Sequence, residues 1–255
     1  PALGGLLGEL GPRMPFWVAM VIVLLNCVYG LVVLPESLPE DQRRRFSWKR
    51  ANPFSSIVNL RRYPFVLGLS VVFVLLSLGQ RGLESIWVLY THYRFGWEEL
   101  HNGLALTLVG IMTVAVQGGL VRVIMPRVGE RRALVAGLLV SSVAMVCYGL
   151  ASTGWIMLAV VVVGSVGGIA SPAAQSLVAG QVPSSEQGNV QGTLASLVSL
   201  TAIVAPLIMT QLFARFTGPA APIEAPGAPF FLAALCCLGA LAAAVVAVRR
   251  APGIS

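Results

Sequence analysis

Seven stretches of this chain are apolar for long enough to cross a bilayer, and its basic residues gather in alternate connections between them. The stretches run over 15–34, 64–90, 102–121, 133–151, 155–178, 189–213 and 228–248, each close to the ~20 residues that a helix needs to span the hydrocarbon. No water at that depth can bond free backbone groups, so spans of this length and composition fold as α-helices. Of 17 Lys and Arg residues, thirteen fall in every second connection. They are Arg43, Arg44, Arg45, Lys49, Arg50, Arg61 and Arg62, then Arg122, Arg127, Arg131 and Arg132, and finally Arg249 and Arg250. Short loops rich in Lys and Arg stay in the cytoplasm, which fixes the expected orientation.

Composition points the same way: 56% of residues are hydrophobic and 11% charged, with a mean hydropathy of +0.83. The net charge of +7 is therefore an orientation signal. A nucleic-acid surface needs basic residues beside aromatics on a soluble domain, and here they sit in short loops next to spans. Cys27, Cys147, Cys236 and Cys237 lie inside apolar stretches without metal-ligand spacing, and read as small buried hydrophobes.

The first ten residues are apolar but too short to cross a membrane, and are expected to be the end of a helix begun upstream. The expected organisation is a remnant over 1–34, a cytoplasmic linker over 35–63, a six-helix bundle over 64–250 and a tail over 251–255. Within the linker, 35–50 is polar and broken by prolines. Residues 51–63 place Phe54, Ile57, Val58 and Arg61 at helical spacing, which suits either an interfacial amphipathic helix or a charged linker with a helical end.

Polarity divides the spans. Those over 15–34, 133–151 and 228–248 are nearly featureless Leu, Val and Ala, as expected of lipid-facing helices. Those over 64–90, 155–178 and 189–213 carry or adjoin Gln80, Arg81, Glu84, Gln175, Gln187, Asn189 and Gln191. Such groups are costly in hydrocarbon and should turn toward protein or a water-filled cavity.

Glu84 is the first candidate, because an ionisable side chain within a span is a functional hypothesis by default, and a carboxyl group can carry a proton. Arg81 stands three residues earlier, so the alternative is a structural ion pair near the outer mouth. Gly79 and Gly82 suggest a bend there. Gln117, Gln175 and Gln191 could hydrogen-bond a substrate or a neighbouring helix. Asn189, Thr193 and Ser196 should form one polar stripe, while Gly188-x-x-x-Gly192 and Gly164-x-x-x-Gly168 should let helices approach closely. Trp87 and Tyr90 are expected in an interfacial aromatic belt, and His92 and His101 in a solvated outer loop. No G-x-S-x-G, H-E-x-x-H or histidine–carboxylate cluster occurs in the spans, so no enzyme activity and no metal or other cofactor is expected.

Several motifs carry a resemblance. Pro1-Ala2-Leu3-Gly4-Gly5 resembles the end of the bent fifth helix of major facilitator superfamily drug exporters, with Pro1, Gly4 and Gly5 in the bend. Gln117-Gly118-Gly119 through Arg132 resembles the superfamily's loop motif between helices eight and nine, with Gly119, Arg127, Gly129, Arg131 and Arg132 as its elements. PES-LPED, ANP, RFGW (94–97), GERRA (129–133), the run over 167–175 and QGNVQG (187–192) are together similar to the tetracycline-efflux branch. The likeness covers nearly all 255 residues.

The resemblance implies an all-α polytopic membrane protein: the carboxyl-terminal six-helix bundle of a major facilitator fold, preceded by the end of helix five and by helix six of the amino-terminal half. It implies a secondary transporter, proton-coupled and exporting a small amphipathic or tetracycline-like molecule across a bacterial-type cytoplasmic (inner) membrane. Its partners would be that substrate, protons, the lipid bilayer and the amino-terminal half missing here, and not nucleic acid. Substrate-binding or coupling candidates are Glu84, Arg81, Thr113, Gln117, Gln175, Asn189 and Gln191. The tetracycline exporters carry a histidine and an aspartate where this chain has Thr113 and Ser141, so coupling must rest on Glu84 or on acids elsewhere. In the loop motif Pro126 replaces the usual aspartate. The alternative is a non-transporting membrane scaffold or receptor of the same fold.

Overall fold

A computed structural model describes residues 7, 11, 13–33, 64–219 and 221–250. The readings made for Pro1, Gly4, Gly5, the 35–63 linker and the 251–255 tail lie outside those residues. The chain divides into two compact units, Pro1–Arg45 and Phe46–Ser255. The first contains helix α1 (Met14–Val33), which buries no residue.

The second unit contains α2 (Pro64–Phe95), α3 (Glu99–Val114), a π-helical turn (Ala115–Leu120), α4 (Val121–Val128) and α5 (Glu130–Leu150). It continues with α6 (Gly154–Gly164), a 3₁₀ turn (Ser165–Ile169), α7 (Ala170–Ala179), α8 (Ser184–Thr217) and α9 (Ala228–Arg250). Seven continuous helical segments are long and apolar enough to cross a membrane, matching the seven apolar stretches.

The breaks between helices have local causes. Pro64 opens α2, where its missing N–H is no loss. Gly96 separates α2 from α3 at φ +64, and Gly129 separates α4 from α5 at φ +83; both values disfavour any residue with a Cβ. The stretch from Gln117 to Arg132, expected as a loop motif, is thus helical on both sides of the single residue Gly129. The helices continue through its arginines, beyond the apolar stretch at which hydropathy ended the span.

Two core clusters hold the bundle. One is mainly aliphatic and packs Val66, Leu69, Leu134, Leu138, Ala170, Ala174, Ala240 and Ala244 around the single buried aromatic Phe73. The other is rich in aromatics and joins Ile86, Trp87, Tyr90, Trp97, Tyr148, Met209 and Phe230. The expectation that 133–151 and 228–248 face lipid is corrected on one face of each helix. α5 buries Leu134, Leu138, Met145 and Tyr148 while exposing Leu139, Val143 and Leu150. α9 buries Ala233, Cys237, Ala240 and Ala244 while exposing Leu235, Leu238 and Val246. Hydrocarbon and protein interior are equally apolar, so hydropathy does not mark the packed face; in α9 the small residues that let backbones approach do, whereas α5 packs large side chains.

The glycines of α2 act in the same way. A Cβ on Gly79 would stand 3.3 Å from the Ala233 carbonyl oxygen, and one on Gly82 would stand 2.6 Å from the Met209 methyl carbon. α2 runs unbroken through both, so they admit neighbouring helices where a bend was expected. Gly164 does approach α5, with 2.8 Å from its would-be Cβ to that of Ala144. Gly168, Gly188 and Gly192 have nothing within 4 Å, so the close approach expected at 188–192 is absent among the described residues.

The orientation expected from the arginine clusters puts Arg122–Arg132 in the cytoplasm and Ser152 on the opposite side. Single cysteines at Ser152 and Val128 should therefore label from opposite faces with an impermeant maleimide. Labelling of both on intact cells would overturn this topology.

Candidate functional site

A cavity of about 670 Å³ opens among α2, α3, the π turn, α5, α6 and the 3₁₀ turn, within the ~300–1,000 Å³ usual for small-molecule sites. From α2 come Ser77, Gln80, Glu84 and Trp87, which the helical period places on one face. Thr113 and Gln117 enter from the opposite wall, and Ser141, Met145 and Tyr148 from α5. Ser165, Gly167 and Gly168 of the 3₁₀ turn and Ser171 of α7 complete it.

Both irregular turns of the bundle border this cavity. Gln117 sits in the π turn, which contains Gly118 and Gly119 and has open space around both. The 3₁₀ turn packs its Gly167 against Ser141, whose backbone nitrogen would be 3.0 Å from an added Cβ. π turns inside α-helices occur frequently at functional sites. No composition rule signals a π turn, although the paired glycines at 118–119 remove the side chains that would crowd one.

Glu84 and Arg81 do pair: Arg81 Nη1 donates to Glu84 Oε2 at 3.0 Å. Their side chains are 52% and 50% exposed respectively. Glu84 lines the cavity and Arg81 does not. Thr113 also lines it, its hydroxyl donating to the Val109 carbonyl at 2.8 Å.

Gln175, Asn189 and Gln191 are exposed and do not line the cavity. The expected polar stripe of α8 is likewise split, with Thr193 buried and donating to the Asn189 carbonyl at 2.8 Å, while Ser196 is exposed. Of the loop-motif residues, Gly119, Arg127, Gly129 and Arg132 are exposed and Arg131 is partly buried. The Glu130 carboxylate lies in the first turn of α5 and accepts a hydrogen bond from Ser176 of α7, tying α5 to the end of the next hairpin.

The aromatic residues depart most from expectation. Trp87 and Tyr90, placed in an interfacial belt by their amphipathic character, are 6% and 0% exposed. Tyr90 Oη donates to the Tyr148 carbonyl at 2.9 Å, and its ring meets Phe230 edge-on at 4.6 Å. Trp87 meets Tyr148 edge-on at 5.9 Å, so this pair forms an aromatic wall of the cavity. His92 and His101 are exposed but not in a loop. The His92 Nδ1 lies 3.2 Å from the Trp97 carbonyl oxygen, and the His101 ring stacks on Trp97 at 6.2 Å.

A bundle of membrane-length helices around a solute-sized cavity, with polar side chains set in an otherwise apolar wall, defines a polytopic membrane protein built to accommodate a small molecule. Comparison with known proteins says which kind. The sequence profile of the Major Facilitator Superfamily matches residues 1–206 and 120–255, and the chain belongs to that superfamily.

The chain is 34% identical over 214 residues to the class C tetracycline resistance protein of Escherichia coli, covering 84% of this chain and 54% of that protein. It is 29% identical over 220 residues to the class D tetracycline resistance protein of Salmonella ordonez, with the same coverages. It is also 28% identical over 254 residues to hippocampus abundant transcript-like protein 1 of Homo sapiens, covering 92% of this chain and 50% of that one. Among solved structures, the human organic anion transporter MFSD10 (TETRAN) matches with a TM-score of 0.78 at 24% identity, over 91% of this chain and 57% of that one. The chain thus spans about half the length of the relatives it matches.

Proposed function

We propose that this chain forms the carboxyl-terminal half of a secondary active transporter that exports a small amphipathic, drug-like molecule in exchange for protons, and that the cavity is its share of the substrate path. The observation that carries the reading is the lining: Gln80, Glu84, Thr113, Gln117, Ser141 and Ser165 set into an apolar and aromatic wall of solute size. The similarity to tetracycline resistance proteins supports export of a drug-like molecule. Thr113 and Ser141 leave Glu84 as the one carboxylate lining the cavity among the described residues, and it is assigned the proton.

Major facilitator transporters bind substrate between two repeats near the midplane and expose it alternately by rocking one against the other. In that scheme 1–34 belongs to the amino-terminal bundle, 35–63 links the bundles, and the protein works in a bacterial cytoplasmic membrane. Gly119, Arg127, Gly129, Arg131 and Arg132 border the rocking interface, while Gln175, Asn189 and Gln191 face outward from this bundle toward the other half.

The test is transport by the full-length protein in inverted membrane vesicles. An imposed proton gradient should drive accumulation of a substrate such as tetracycline or a fluorescent amphipath. Gln117→Leu, which places a hydrocarbon group in the cavity wall, should lower the rate about tenfold, the loss expected when a buried partner is left unpaired at ~1.4 kcal/mol. Absence of any gradient-driven transport would leave the scaffold reading standing.

A further inference from the structure

A second hollow lies along the seam between α5 and α6, and it stands independently of the transport reading. It is a groove of about 430 Å³ in which no lining side chain carries an oxygen or a nitrogen. Residue size explains it. Ala144, Ala159 and Gly164 put little or no side chain into the seam, while Leu139, Val143, Ile156 and Val163 stand beside it, 44–67% exposed.

The ends of the groove set its level in the bilayer. Its lining begins on α6 one residue past Trp155, which is 83% exposed at the start of that helix, and an exposed tryptophan at the end of a span marks the headgroup level. From there the lining follows α6 to Gly164, a rise of about 12 Å into the hydrocarbon. The deep wall is thin. Ala144 and Gly164 also line the large cavity, and a Cβ on Gly164 would meet that of Ala144 at 2.8 Å, so one helix contact separates the two spaces.

Whatever fills this groove must be apolar and narrow. A helix with its side chains is about 10–12 Å wide, and 430 Å³ spread along the groove leaves no room for one. An empty groove would forfeit dispersion contacts along its whole length. A polymethylene chain is far thinner than a helix, and the bilayer supplies it at this depth. We infer that the α5–α6 groove is the seat of one lipid acyl chain, with the headgroup beside Trp155 and the methylenes backing the wall of the large cavity.

The test places the full-length protein in nanodiscs containing a phosphatidylcholine with a diazirine midway along one acyl chain, and maps the adducts by peptide mass spectrometry. Leu235 and Leu238 of α9 give the baseline for ordinary bilayer contact. They are 64% and 45% exposed, against 56% and 44% for Val143 and Ile156. Gly227 packs on Gly149, which sets the start of α9 level with the end of α5. Adducts at Val143 and Ile156 should exceed the baseline about fivefold, because a chain in a fitted groove dwells there while an annular chain exchanges. Ala159→Phe fills the groove from an exposed position. It should return those adducts to the baseline and leave α9 unchanged.

Equal yields at the two places in the unsubstituted protein, or undiminished groove adducts in a folded Ala159→Phe protein, would overturn the inference. Dimers joined from Cys147 to Cys147 by a bis-maleimide would do the same, since a second copy would then cover the seam. The ratio in the unsubstituted protein decides the question even if Ala159→Phe fails to fold.

Discussion

Gly137→Leu is expected to prevent this bundle from assembling. A Cβ on Gly137 would lie 2.7 Å from the Ala170 backbone nitrogen and 3.1 Å from its Cα. The clash is with backbone at the junction of the 3₁₀ turn and α7, so no side-chain rotation relieves it. Overpacking a filled core by a methylene or so costs about 1–3 kcal/mol. A whole isobutyl group at a backbone contact exceeds that and approaches the ~5–15 kcal/mol by which domains are stable at all. Fluorescence-detected size exclusion after detergent extraction should show aggregated protein for Gly137→Leu and a lowered melting temperature for Gly137→Ala. Gly192→Leu is the contrast, since a Cβ added there meets nothing beyond its own helix within 4 Å among the described residues. It should leave the bundle's own fold intact. A monodisperse Gly137→Leu protein with an unchanged melting temperature would show that α5 and α7 do not pack as described.

These two glycines also show what hydropathy conveys and what it does not. Long apolar runs and alternate arginine clusters make the number and order of the spans legible, because bilayer thickness and backbone hydrogen bonding leave few other options. The packed face of each span is harder to read. Gly188-x-x-x-Gly192 has the spacing of a close helix contact and makes none among the described residues, whereas Gly137 and Gly167 have no second glycine at that spacing and make tight ones. Contact depends on which helix lies opposite, and that is a property of the tertiary arrangement.

The site was legible in part for the same reason. Glu84, Thr113 and Gln117 stood out as polar groups in apolar surroundings and do line one cavity. Gln175, Asn189 and Gln191 stood out equally and face elsewhere. A polar side chain signals only that it avoids lipid, and a surface that docks on another part of the protein meets that need as well as a cavity does. Trp87 and Tyr90 were misplaced because an aromatic ring with one polar atom suits an interfacial belt and a cavity wall alike.

Replacing Glu84 with glutamine in the full-length protein should abolish most of the pH dependence of transport. The amide keeps the shape and can still accept a hydrogen bond from Arg81, but it cannot exchange a proton. The competing view is that the pair with Arg81 holds the helix together, and magnitudes argue against it. An i,i+3 pair of this kind contributes ~0.2–0.5 kcal/mol to a helix in water, and here it is a single pair at 3.0 Å within one helix, tying α2 to no neighbour. α2 is anchored instead by Val66, Leu69, Val72, Ile86 and Tyr90, all 0% exposed. Stability should therefore change little in either Glu84→Gln or Arg81→Ala. Transport should be measured across pH 5.5–8.5 at substrate concentrations raised until the variant saturates, so that weaker binding does not pass for lost coupling. A rate that falls at least tenfold and no longer follows the proton gradient identifies the carboxylate as the coupling group. Wild-type rates and pH dependence in Glu84→Gln, together with an unfolded Arg81→Ala protein, would make the pair structural and move coupling to acids in the other half.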